Sequence, residues 1–138
     1  MRVGIDLVSI PEVSESIARF GHKYLDRVFT PRELDDCGGD ADQLASRLAA
    51  RFAAKEAATK VLRPGDQGIG WRSIEVQRDP QGWTELALQG EAAALARSQG
   101  LNSFALSISH EGNYATAVVV ACHATGSQEG DDTQPFYA

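Results

Sequence analysis

Cysteine, long apolar runs and basic charge are all scarce in this chain, and each scarcity excludes something. There are only two cysteines, Cys37 and Cys122. They have no metal-ligand spacing and build no disulfide framework, so free thiols in a reducing, cytoplasmic setting are expected. No stretch is long and apolar enough to cross a bilayer, and no basic-then-apolar leader opens the sequence. Lysine and arginine number 13 against 19 aspartates and glutamates, a net charge of -6. That balance argues against nucleic acid and against an anionic membrane as partners, and an anionic ligand would need a local basic cluster. Also missing are a glycine-rich phosphate loop with its lysine, a cysteine–histidine metal pattern and an internal repeat. Ser107 and Ser109 lack the strained elbow of an activated serine nucleophile.

What remains is one domain's worth of ordinary globular sequence, 138 residues long. A chain this short buries one core, and a site shared between subunits would suit it. Val3 to Val8 reads as a strand and Glu12 to Phe20 as an amphipathic helix with Val13, Ile17 and Phe20 on one side. Thr30-Pro31-Arg32-Glu33 is a capping box with proline at the first helical position. Its helix should end near Cys37, before Gly38 and Gly39. The spacing then predicts a long alanine-rich helix from about Ala41 to Leu62, stopped by Arg63-Pro64-Gly65. Strands are expected over Ser73–Arg78 and Thr84–Gln89, a helix over Glu91–Ser98, and a last hairpin from Ser103–Ser109 and Tyr114–Cys122. Without strict βαβ alternation, the fold class is α+β, a mainly antiparallel sheet packed on the long helix. Residues 1–123 form the domain, and the polar, acidic residues 124–138 read as a disordered tail.

Three features admit a functional role beside a structural one. In the long helix, Leu44, Leu48, Phe52, Glu56 and Lys60 recur every four residues, so one stripe begins apolar and ends charged. The neighbouring stripe Arg47-Arg51-Lys55 is entirely basic, and like charges at that spacing repel unless an anion covers them. A surface ion pair and a solvated basic face explain the same pattern, and on pattern alone that is the commoner arrangement. Asp6 is a carboxylate within a short apolar strand; it needs a cation, hydrogen-bond donors or a face open to water. His110 ends a strand whose Ser103, Ala105, Ser107 and Ser109 keep one side small, either as a turn residue or as part of a nucleotide pocket. Two carboxylates from separate elements can hold one Mg²⁺ against a phosphate, with arginines gripping the other phosphates.

At these residues the sequence resembles the holo-acyl-carrier-protein synthases, the short class of 4′-phosphopantetheinyl transferases. The likeness runs from about Val3 to Ala121. Gly4-Ile5-Asp6-Leu7-Val8 is similar to the family's opening metal motif, and Arg51-Phe52-Ala53-Ala54-Lys55-Glu56-Ala57-Ala58-Thr59-Lys60 to its signature helix. Ser73-Ile74-Glu75-Val76 and Ser107-Ile108-Ser109-His110 follow in the expected order. The resemblance implies that Asp6 and Glu56 bind Mg²⁺, and that Lys60 assists transfer from coenzyme A to a serine of an apo acyl carrier protein. It implies that Arg51, Lys55, Ser109 and His110 contact the 3′,5′-ADP portion, and that the enzyme is a homotrimer with sites between subunits. A fatty-acid or polyketide carrier would be the acceptor. Glu12 stands where the short class usually has a basic, carrier-facing residue, although Arg27 nearby is basic. A homologue that binds coenzyme A or a carrier protein without catalysis is the alternative.

Overall fold

The computed structural model describes residues 1–123. The centre of the fold is a crossing of one helix over one strand. Helix α4 (Ala41–Leu62) lies across a three-stranded sheet of β1 (Arg2–Ser9), β5 (Tyr114–Cys122) and β4 (Ser103–Glu111) in the order β1-β5-β4. Both pairings are antiparallel, with Gly4 opposite Val119, Asp6 opposite Ala117, and Ile108 also opposite Ala117. The inner face carries small residues: Gly4, Ala115, Ala117 and Ala121 are buried, as are Ala53, Ala54, Ala57 and Ala58 of α4. Small side chains on both elements let the backbones approach closely. A Cβ on Gly4 would lie 2.2 Å from the Ala57 carbonyl oxygen. Leu48, Val61, Leu62 and Val119 fill the core around this contact, each contributing about 1.5–3 kcal/mol by full burial.

The other elements fasten to this centre. Helix α1 (Ile10–Phe20) starts at Ser9, whose hydroxyl accepts from the Glu12 N–H, and α2 (His22–Val28) follows at Gly21 with φ 54°. The sequence reading did not separate α2 from its surroundings. Helix α3 (Pro31–Cys37) has the expected capping box: Thr30 Oγ1 accepts from the Glu33 N–H at 3.2 Å, and Glu33 Oε1 accepts from the Thr30 N–H at 2.9 Å. A second, two-stranded antiparallel sheet joins β2 (Ile74–Arg78) to β3 (Thr84–Leu88), so the antiparallel strands fall into two sheets. Helix α5 (Gly90–Ser98) precedes β4. Glu33 ties three elements together, since its Oε2 accepts from the Val76 N–H at 2.9 Å and its Oε1 lies 2.7 Å from Lys55 Nζ.

The sheet's outer face is open. Val3, Ile5 and Leu7 are 69%, 59% and 64% exposed, and Val118, Val120 and Thr116 lie beside them on β5. Asp6 points the other way, toward α4, so its side of β1 is not the one facing water. Among the described residues no helix is long and apolar enough to cross a membrane. The expected tail, residues 124–138, lies outside the described residues.

Candidate active site

Asp6 reaches its position because the glycine two residues earlier lets α4 settle on β1. Its carboxylate meets Lys60 from the last turn of α4: Lys60 Nζ is 3.2 Å from Asp6 Oδ1 and donates to the Ile5 carbonyl at 2.7 Å. Thr116 Oγ1 donates to the Asp6 carbonyl at 2.8 Å, fixing the strand from the β5 side. One helical turn before Lys60, Glu56 adds a second carboxylate. Its carboxyl is held above the ordinary value by burial first and by the Asp6 charge second, while Lys60 pulls it back. Two carboxylates in electrostatic contact, one partly buried, form a hard-oxygen donor pair with a standing repulsion that a cation would remove. No group of three or more potential ligands occurs among the described residues. Mg²⁺ needs no such group, since it binds one or two carboxylates together with waters and phosphate oxygens.

A groove of about 680 Å³ opens at the other edge of the sheet. Arg47 and Arg51 of α4, Arg78 at the end of β2, Trp83 on the β2–β3 turn, and Ile108 and His110 of β4 border it. No carboxylate borders it among the described residues, although the chain as a whole is acidic. Arg51 is nearly buried; its Nη1 donates to the Arg47 carbonyl at 3.3 Å, and its buried Nε has no partner among the described residues. A buried guanidinium without a counter-ion is unfavourable until an anion arrives. The groove is therefore electrostatically suited to an anion.

The structure brings Asp6, Glu56 and Lys60 together, and places Arg51 and His110 in the groove. It does not bring Lys55 there. Lys55 is fully buried, its ammonium held by Glu33 and by the Trp71 and Ile74 carbonyls, and burial draws its pKa below the ordinary lysine value. The third member of the basic stripe thus finds its anion inside the protein. Ser109 is also absent from the groove's lining; it lies opposite Thr116 of β5. Arg78 and Trp83 were missed in the sequence. The signal available was a large aromatic directly after the tight turn Asp79-Pro80-Gln81-Gly82.

Comparison with known proteins shows the family to which this fold belongs. Residues 2–119 match the family described as the 4′-phosphopantetheinyl transferase superfamily. The holo-[acyl-carrier-protein] synthase of Koribacter versatilis is 42% identical over 118 residues, covering 85% of this chain and 94% of that protein. That of Gloeobacter violaceus is also 42% identical over 118 residues, covering 86% and 89%. Among solved structures, the Helicobacter pylori holo-[acyl-carrier-protein] synthase in complex with coenzyme A superposes with a TM-score of 0.76 at 31% identity, covering 88% of this chain and 100% of that one. The ACPS–CoA complex from Chronobacterium ammoniagenes gives 0.78 at 36%, covering 89% and 97%. The α+β fold and the family match define the class, and the chain belongs to the 4′-phosphopantetheinyl transferase superfamily. Within it, this is an enzyme of the holo-[acyl-carrier-protein] synthase type.

Proposed function

We propose that the enzyme moves 4′-phosphopantetheine from coenzyme A to a serine hydroxyl of an apo acyl carrier protein, leaving 3′,5′-ADP, with Mg²⁺ at Asp6 and Glu56. The observation that carries this reading is the pairing of two features on α4. One is the Asp6–Glu56–Lys60 cluster; the other is a groove with three guanidinium groups and no bordering carboxylate among the described residues. Mg²⁺, when bound, would neutralise the diphosphate and polarise the bond to be broken. The serine oxygen attacks the phosphorus on the pantetheine side of the diphosphate. The P–O bond to the adenosine-side phosphate breaks, and its electron pair leaves with 3′,5′-ADP. Glu56, or a water it holds, takes the serine proton. Lys60, steadied by Asp6 and the Ile5 carbonyl, offers positive charge to the leaving oxygen. Arg47, Arg51 and Arg78 hold the phosphates of the adenosine end.

The two features face away from each other within one chain. Strands β1 and β4 flank β5, about 10 Å apart. Glu56 follows Arg51 by five residues, about 140° round the helix axis. A second copy resolves the mismatch by presenting its groove to the first copy's carboxylates. The open strip of Val3, Ile5 and Leu7 supplies a surface for that association, in keeping with a homotrimer whose sites lie between subunits. Free Cys37 and Cys122 suit a cytoplasmic enzyme.

Intact-mass measurement of apo carrier proteins incubated with enzyme, coenzyme A and Mg²⁺ tests the proposal. The expected result is a gain of one phosphopantetheine, absent with Glu56→Ala and absent without Mg²⁺. Coenzyme A binding with no mass gain on any carrier from the same genome would instead favour a binding homologue without catalysis.

A further inference from the structure

Of the chain's two tryptophans, one is structural and one has no structural task. Trp71 is half-buried and packs on Phe52, their ring centroids 5.2 Å apart. Trp83 is 71% exposed and has no aromatic or cation–π partner among the described residues. An indole left in water forgoes one of the largest apolar burials available to any side chain.

Its backbone is nonetheless held firmly. The Trp83 N–H donates to Asp79 Oδ1 at 2.9 Å, and the Asp79 N–H donates to the Trp83 carbonyl at 2.9 Å. Asp79 Oδ1 also accepts from the Gln81 N–H at 2.9 Å, and the Asp79 carbonyl accepts from the Gly82 N–H at 3.0 Å. Gly82 has φ 95°, which favours glycine, and the Arg78 guanidinium lies 3.6 Å from where its Cβ would be. That spacing is ordinary van der Waals contact, so the backbone conformation, not space, is what calls for glycine at 82. One aspartate therefore clamps a turn that presents a bare indole on the rim of a groove containing Arg47, Arg51 and Arg78. An exposed aromatic on a rigid mount loses little conformational freedom when a flat ligand stacks on it.

We propose that Trp83 is the base-stacking residue of this enzyme: the adenine of coenzyme A lies on its indole while the arginines take the phosphates. The inference rests on the groove being the nucleotide site, as in the proposed function, and adds the residue that selects a base. Stacking on the adenine lies far from the diphosphate under attack, so it contributes equally to substrate and transition state.

The test uses the intact, assembled enzyme and two probes, 3′,5′-ADP and ribose 3,5-bisphosphate, which has the phosphates and no base. Calorimetric titration of Trp83→Ala should show 3′,5′-ADP binding weakened about 5- to 100-fold, with the baseless probe unaffected. Trp83→Phe should retain most of the affinity. In the transferase assay Trp83→Ala should raise KM for coenzyme A and leave kcat unchanged. Nucleotide should quench the wild-type tryptophan emission and leave that of Trp83→Phe nearly unchanged. Unaltered 3′,5′-ADP affinity in Trp83→Ala would overturn the inference and leave the transferase intact. Equal loss of both probes, or dissociation of the assembly, would show that Trp83 holds the turn or a subunit contact instead. Failure of the wild-type enzyme to bind 3′,5′-ADP would remove the groove as a nucleotide site and the stacking role with it.

Discussion

Glu56 concentrates the conflict between stability and catalysis. Burial and the Asp6 charge raise its pKa above the ordinary carboxylate value, so the folded protein binds that proton more readily than the unfolded chain does. Its contribution to stability is present at low pH and is lost as the pH rises through the raised pKa. Ionising Glu56 in the metal-free enzyme is therefore unfavourable. Glu56→Gln is expected to raise the melting temperature without Mg²⁺, to abolish the gain in melting temperature on adding Mg²⁺, and to lower the transfer rate by about 100-fold or more. Thermal scans with and without Mg²⁺, alongside initial rates, check all three. Wild-type activity should also fall on the acid side as Glu56 takes up its proton. Lys55 shows the opposite use of charge. Its ammonium is sealed in the core against Glu33, so Lys55→Ala, which leaves Glu33 buried alone, should destabilise the protein by about 3–5 kcal/mol in chemical denaturation. Cys37 is buried as well, its thiol pushed up to about 11 chiefly by burial, and should resist alkylation in the folded enzyme. In sequence Lys55 was indistinguishable from Arg51. Both sit on one basic stripe, and only the docking of α3 and β2 reveals that Lys55 has a buried anion while the buried Arg51 Nε has no partner among the described residues.

Helices and strands were the more legible level. The capping box at Thr30, the alanine run of α4 and the turns at Asp79 and Gly112 are local chemistry, and local chemistry is written in the sequence. What could not be read was which face of β1 meets α4. Val3, Ile5 and Leu7 make the more apolar face, yet Gly4, Asp6 and Val8 turn inward because only a glycine lets Ala57 come so near. Gly4→Ala therefore forces backbone apart and should cost about 1–3 kcal/mol by thermal or denaturant unfolding. It should also reduce activity beyond any loss of fold, because the same movement separates Asp6 from Glu56. On α1, Glu12 is exposed at the start of the helix, and Arg19, Lys23 and Arg27 lie further along the same region of chain. Carrier proteins are expected to be acidic. Glu12→Arg should accordingly lower KM for an acidic carrier while leaving KM for coenzyme A unchanged, and the difference should shrink as salt is raised. An unchanged carrier KM would remove α1 as the docking element.

The proposed assembly would account for what neither residue nor element explains. One chain carries a carboxylate cluster at one edge of its sheet, a basic groove at the other, and an exposed apolar strip on the sheet's outer face. A site completed between copies gives each of these a task. Val3→Asp, on that strip and outside both halves of the site, should dissociate the proposed oligomer in sedimentation and abolish transfer at micromolar concentrations. The most direct test combines two inactive enzymes. Glu56→Ala disables the cluster and keeps the groove; Arg51→Gln disables the groove and keeps the cluster. Each should fail alone to add phosphopantetheine to an apo carrier in an intact-mass assay. Co-expressed, so that mixed assemblies form, they should regain a substantial fraction of wild-type transfer, because some sites pair an intact cluster with an intact groove. Mixed assemblies that remain as inactive as either parent would contradict a site shared between copies.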